Sequence, residues 1–272
     1  MAAVLPPLPA ALSPSRLQDF HACPRRYQYA AVERRPQPAT FATVKGRVVH
    51  HVLEHLVREE PAARTSSAAA ALVPAAEDAV VDEGVRADLG FDDDLRARLR
   101  REVDEAVAGY LAMEDPRDVR AEGVELRLSA AVDGAPILGI LDRLDRDADG
   151  RLTIVDYKTG SVPSRTWDRY TFANTELYAA LCQAALGELP TTIRLLYVSQ
   201  RAEATRPVTE VVIRARAAAA SHAWHAIGEY HERGDFPARP SASTCRFCAY
   251  RADCLAQGIA VPPPPTARAT TL

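Results

Sequence analysis

Apolar and polar positions change period twice along the chain. Ser13 followed by Pro14 pairs a capping hydroxyl with a proline at the first helical position. That predicts a helix reaching about Tyr29, with Leu17, Phe20 and Tyr27 turned inward. Beyond a Pro-containing loop at 35–39, Val49, Val52, Leu53 and Leu56 recur at helical spacing within 46–60. Residues 61–118 are Ala-rich and charged, with stops at Pro61, Pro74, Gly84, Gly90 and Pro116. Two or three helices are expected there, one over 93–113, as an inserted lid or side lobe. The period then falls to two. Val124-Glu125-Leu126-Arg127-Leu128 alternates as a strand does, and 137–144 and 152–157 read as two more strands. Helix returns at 174–186, strands at 193–199 and 208–213, and helix at 214–233. This order predicts an α/β fold with a mixed central sheet flanked by helices, plus a helical insertion at 61–118. One domain is expected over 13–258, between a flexible arm (1–12) and a disordered Pro-rich tail (259–272).

Composition narrows the class. The chain has 272 residues, 47% of them hydrophobic and 25% charged, which excludes a largely disordered or collagen-like protein. No stretch approaches the ~20 apolar residues that cross a bilayer. The apolar start is broken by Pro6, Pro7 and Pro9 and lacks a basic segment, so no membrane partner and a cytoplasmic location are expected. The net charge of −3 excludes a general basic coat, so any nucleic-acid contact must come from a local groove. Lysine occurs only at Lys45 and Lys158 among 33 cations. A lysine kept in so Arg-rich a chain points to a site that uses a compact ammonium.

Lys158 lies in the most specific constellation. Gly139-Ile140-Leu141-Asp142 is followed, after thirteen intervening residues, by Asp156-Tyr157-Lys158-Thr159-Gly160. On paired strands Asp142 and Asp156 can meet, and Asp156 and Lys158 share a face. Two carboxylates beside one amine suit Mg²⁺ or Mn²⁺. Such an ion polarises a phosphodiester and acidifies a water, and a lysine orients that water or offsets charge on the phosphate. The same spacing also fits a hairpin whose charges face solvent. Asp145-x-Asp147-x-Asp149-Gly150 imitates a calcium loop, but its flanks read as strands, so an exposed turn is expected.

These motifs resemble the core of the PD-(D/E)XK nuclease superfamily, in particular the RecB-type nuclease domain. The resemblance implies a restriction-endonuclease-like fold, with Asp142 and Asp156 as metal carboxylates and Lys158 as the catalytic lysine. Gly46-Arg47-Val48-Val49-His50 is similar to the family's Gly-x-x-x-His helix, which implies His50, not His51, as a further metal ligand, with Glu54 one turn on in support. Tyr178 fits the family's DNA-contacting Gln-x-x-x-Tyr helix, with Asn174 standing where the family has Gln.

Five cysteines remain. Cys245-x-x-Cys248-x5-Cys254 forms a compact trio, and Cys23 precedes Pro24 far upstream. Spacing allows zinc or an iron–sulfur cluster. A Cys-Pro-x-x-Tyr paired with such a trio is similar to nucleases with an iron–sulfur staple, including the AddB nuclease domain and CRISPR-adaptation nucleases. That resemblance implies a [4Fe-4S] cluster on Cys23, Cys245, Cys248 and Cys254. Cys182 matches no ligand position and is expected in the core. A cluster joining Cys23 to Cys245 would tie residues 222 positions apart.

His222, His225 and His231 read as a solvated helix face, and Arg165 and Arg169 as candidate DNA-backbone contacts. No Gly-x4-Gly-Lys-Ser/Thr loop, Gly-x-Ser-x-Gly elbow or dinucleotide fingerprint occurs. The expectation is a metal-dependent DNA nuclease, specifically a single-strand exonuclease of repair with a possible helicase or repair partner. Its alternatives are a CRISPR-adaptation nuclease and a non-catalytic iron–sulfur DNA-binding subunit.

Overall fold

The computed structural model describes residues 5–162 and 171–263. Arg165 and Arg169 lie outside the described residues. Ser13 Oγ accepts the Arg16 N–H and opens α1 (Pro14–Ala22), and Pro24 starts a further turn, α2 (Pro24–Tyr27). Thr40 and Thr43 cap each other at the head of α3 (Phe41–Arg58). Three helices follow: α4 (Ser66–Val80), α5 (Glu83–Leu89) and α6 (Asp93–Met113). Thr65, Asp82 and Asp92 each accept the backbone N–H three residues on, so each of the three carries its own cap.

The sheet has five strands in sequence order: β1 (Ala121–Val132), β2 (Ala135–Arg146), β3 (Leu152–Lys158), β4 (Thr192–Tyr197) and β5 (Ala202–Pro207). Only β3 and β4 run parallel, and α7 (Ala173–Leu186) lies between them in sequence. The other pairs are antiparallel, which makes the sheet mixed as expected. The long helix α8 (Glu210–Arg233) and two short helices, α9 (Ala242–Arg246) and α10 (Arg251–Ala256), complete the described chain.

Two apolar cores sandwich the sheet. Leu17 and Phe20 of α1, Leu177 and Leu181 of α7 and Ile227 of α8 pack with Leu141, Ile154 and Ile193 on one face. Val49, Val52, Leu53 and Leu56 of α3 pack with Val73 of α4, Val103 of α6 and Val155 and Tyr157 of β3 on the other. Burial of these aliphatic side chains holds the layers together, at about 25 cal/mol per Å² of apolar surface.

Two expectations need correction. Residues 208–213 are not a strand. Thr209 accepts the Val212 N–H and starts α8 there, with Ile213 buried as a helical residue. The edge strand is the small, polar β5, which the apolar pattern does not mark. The first helix also does not run unbroken to Tyr29. Cys23 is extended, which breaks the chain into α1 and α2, and a π-helical turn over Gln28–Val32 follows. At the other end of the arm, Leu12 is fully buried and exchanges backbone hydrogen bonds with β2 through Pro136 and Leu138. The acidic loop after Arg146 is an exposed turn in which Asp147 accepts the Asp149 and Arg151 amides.

Candidate active site

The site lies where β2 and β3 part. Their ladder ends at the Arg143–Val155 pair. Beyond it the Asp142 side chain takes the place of a backbone acceptor, its Oδ2 receiving the Tyr157 N–H at 2.8 Å. Asp142 is thus fixed by the strand it faces. On β3, Asp156 and Lys158 form an ion pair.

Helix α3 brings His50 to these strands. The helix passes close to the end of β3 at Gly46, where an added Cβ would lie 3.2 Å from Thr159 Oγ1. One turn later His50 Nε2 lies 3.0 Å from the Tyr157 carbonyl and Nδ1 lies 3.4 Å from Asp142 Oδ1. The carbonyl only accepts, so Nε2 carries a proton and Nδ1 is the atom that faces the carboxylates. His51 instead stacks on His55, with ring centroids 4.1 Å apart. Glu54 pairs with Arg58 at 2.5 Å, and Arg58 also donates to the Val124 carbonyl at 3.3 Å, which ties α3 to β1.

That tie sits beside a residue the motifs did not mark. Glu125 of β1 lies opposite Asp142 in the register set by the Val124–Arg143 and Leu126–Leu141 pairs. Its backbone is left-handed (φ 47°), an unfavourable state for a non-glycine residue inside a strand. Ligand atoms of His50, Glu125 and Asp142 all lie within 4.8 Å of one another. One nitrogen and two carboxylates at that separation are a donor set for a divalent cation.

The charges interact strongly. Burial opposes a charged His50, but Asp142, through charge and a hydrogen bond, outweighs it and lifts the ring to about 9. Burial likewise opposes the Asp142 charge, but His50 and the Tyr157 amide hold that carboxyl below its ordinary value. Burial and the neighbouring Asp142 charge push Asp156 up to about 6, against the pull of Lys158. Burial and the charges of Asp142 and Glu54 raise Glu125. Lys158 is held above its ordinary value because Asp156, by charge and hydrogen bond, overcomes the penalty of burial. Neighbouring carboxylates with values driven apart mark a site that gains from a bound cation.

Tyr178 of α7 covers the site from the other layer. Its ring packs on Gly139, where an added Cβ would meet Cε1 at 2.5 Å. Burial together with the charges of Asp156 and Asp142 raises its pKa, against a smaller lowering by the Ile140 amide. Asn174 points elsewhere, donating to Gln18 Oε1 at 3.3 Å. Lys45 pairs with Glu102 of α6 at 3.1 Å.

Cys23, Cys245, Cys248 and Cys254 line a second, small cavity between the two ends of the chain, together with Tyr29 and Tyr250. The Arg239 amide donates to Cys23 Sγ at 3.3 Å. The Tyr250 amide lowers the pKa of Cys248, although burial pushes that thiol up overall. Amides aimed at sulfur suit a thiolate that binds metal. Cys182 is fully buried in α7, where burial pushes its thiol up to about 12. His225 and His231 of α8 bond separately to the Ser221 and Pro6 carbonyls.

A strand-held Asp142, an Asp-x-Lys pair on the next strand and a helix-borne histidine on a mixed sheet define a class of metal-dependent phosphodiesterase cores. The family model of the PD-(D/E)XK nuclease superfamily matches residues 11–255, and the chain belongs to that superfamily. The curated proteins give no match. A solved structure described as the crystal structure of SSO0001 is similar over 89% of this chain and 93% of its own, at 14% identity and a TM-score of 0.35, a likeness too slight to carry an argument. No helix among the described residues is long and apolar enough to cross a membrane.

Proposed function

We propose that this chain is a RecB-type deoxyribonuclease that uses Mg²⁺ or Mn²⁺ and acts as an exonuclease on single-stranded DNA or free ends in repair. The observation that carries the reading is the convergence of His50, Glu125 and Asp142 beside the Asp156–Lys158 pair. His50, Glu125, Asp142 and Asp156 would hold the ion. When bound, it supplies positive charge that polarises the phosphodiester and acidifies the attacking water. The chain's own groups do the rest. His50 Nδ1 must be bare to act as a ligand, while its Nε2–H donates to the Tyr157 carbonyl. The Lys158 ammonium donates hydrogen bonds toward the water and the phosphate oxygens, and its charge offsets the charge that builds as the P–O bond breaks. Tyr178, packed over Gly139, is the side chain proposed to touch a phosphate or sugar of the DNA.

We also propose a [4Fe-4S] cluster on Cys23, Cys245, Cys248 and Cys254 as a staple between the chain ends. Its support is their shared cavity and the amide aimed at Cys23. Zinc is the other soft-metal outcome, and an iron and acid-labile sulfide assay separates the two.

The test uses anaerobically purified protein on end-labelled single- and double-stranded DNA with Mg²⁺, Mn²⁺ or EDTA. Cleavage with either ion, abolished by EDTA, is expected, and the product ladder reports polarity. Equal inertness on every substrate with an intact cluster would favour a non-catalytic DNA-binding subunit.

A further inference from the structure

Among the described residues the largest fully buried side chain is not a hydrophobe but Arg143, the residue after Asp142. Its Nη1 donates to the Tyr157 hydroxyl at 2.8 Å, to Glu114 Oε1 at 2.5 Å and to the Tyr110 hydroxyl at 3.3 Å. Its Nη2 donates to Asp145 Oδ2 at 2.9 Å and to Glu114 Oε2 at 3.2 Å. Its Nε pairs with Asp145 Oδ1 at 2.9 Å by charge without hydrogen-bond geometry, so the buried guanidinium is held by its two Nη groups and by the carboxylates of Glu114 and Asp145. Burial of so costly a group between α6 and the sheet calls for a role.

Tyr157 shows what that role is. It lies between Asp156 and Lys158, and it makes three contacts with the candidate metal ligands. Its amide donates to Asp142 Oδ2, its carbonyl faces His50 Nε2, and its ring meets the His50 imidazole edge to face at 6.0 Å. The far end of the same side chain is the hydroxyl held by Arg143. Arg143, in the last pair of the backbone ladder, thus ties β2 to Tyr157, which lies past that ladder on β3 next to Asp156.

We propose that Tyr157, anchored by Arg143, is a positioning residue that sets the spacing of His50, Asp142 and Asp156 for the metal ion. The inference rests on the metal-site reading above and deepens it. Groups behind metal ligands commonly govern affinity by 10–100-fold. Loss of the anchor frees the Tyr157 ring, and with it the imidazole edge and the strand that carries both contacts.

The experiment measures Mn²⁺ binding to the full chain by electron paramagnetic resonance, without DNA, alongside thermal unfolding. Tyr157→Phe removes only the hydroxyl, so it is expected to fold. It should raise the Mn²⁺ dissociation constant about tenfold. Arg143→Lys should do the same where it folds. Tyr110→Phe removes another hydroxyl from the same guanidinium, on α6, and keeps the ring that packs edge to face on Tyr157 at 5.6 Å. It should lower the unfolding temperature comparably and leave Mn²⁺ affinity at the wild-type value. Unchanged affinity in Tyr157→Phe, or equal losses in Tyr157→Phe and Tyr110→Phe, would overturn the positioning role. If wild type itself binds no Mn²⁺, the metal-site reading falls and this inference falls with it.

Discussion

At the scale of single residues, the site is a contest between burial and opposite charge. His50 shows the consequence most directly. With its pKa lifted to about 9, the ring is protonated near neutrality in the metal-free protein, and a cation must displace that proton. Mn²⁺ affinity should therefore rise about tenfold per pH unit from 7 upward and level off above about 9. A calorimetric titration across that range checks the slope, and a flat profile would exclude His50 as a ligand. The same raised value stabilises the metal-free fold fully below 6.5, and that contribution fades as pH rises through about 9. Glu125→Gln should weaken Mn²⁺ binding about tenfold or more while leaving the fold intact, as read by the same titration alongside circular dichroism. Glu125 was only partly legible in the sequence. The alternation around it places Glu125 and Arg127 on one face of β1, but nothing local reveals that β1 registers Glu125 opposite Asp142 or that its backbone turns left-handed. Asp142, Asp156, Lys158 and His50 stood out because their spacing repeats a pattern. Glu125 depends on strand pairing, which no spacing encodes.

At the scale of elements, strong local signals gave the right structure and weak ones did not. The helix expected over 93–113 is α6 from end to end, because Asp92 caps it and its apolar positions keep the helical period. The segment 208–213 misled because Val211, Val212 and Ile213 are β-branched, yet they follow the Thr209 cap. β5 went unmarked because alanine, glutamate and threonine form a strand only against β4. The packing of α7 on the β1–β2 hairpin makes a sharper prediction. Gly139 lacks a side chain because Tyr178 occupies that space. Gly139→Val should destabilise the protein by about 1–3 kcal/mol in chemical denaturation, and Tyr178→Ala in the same chain should recover part of the loss. Additive losses in the double variant would show that the two do not share the space.

At the scale of the whole molecule, one sheet separates two cores, and the site opens where its central strands part. The four cysteines sit away from that opening, where Arg25 pairs with Asp235 at 2.9 Å and Arg35 with Asp253 at 2.5 Å, joining the chain's ends. The proposed staple there would act on the fold before it acted on chemistry. Cys23→Ala should cost about 4 kcal/mol of stability, as expected when the link closing so long a loop is cut, and should release bound iron. Retention of full metal content and melting temperature would dismiss the staple. The proposed cut falls beside the His50, Glu125 and Asp142 donors and the Asp156–Lys158 pair, with Lys158 as the catalytic amine. The most direct measurement compares wild type with Lys158→Ala for Mn²⁺ binding and for cleavage of end-labelled DNA. The variant is expected to bind Mn²⁺ and to cut at least 100-fold more slowly, in line with the loss of one preorganised charge at a transition state. Cleavage by the variant at the wild-type rate would contradict that role.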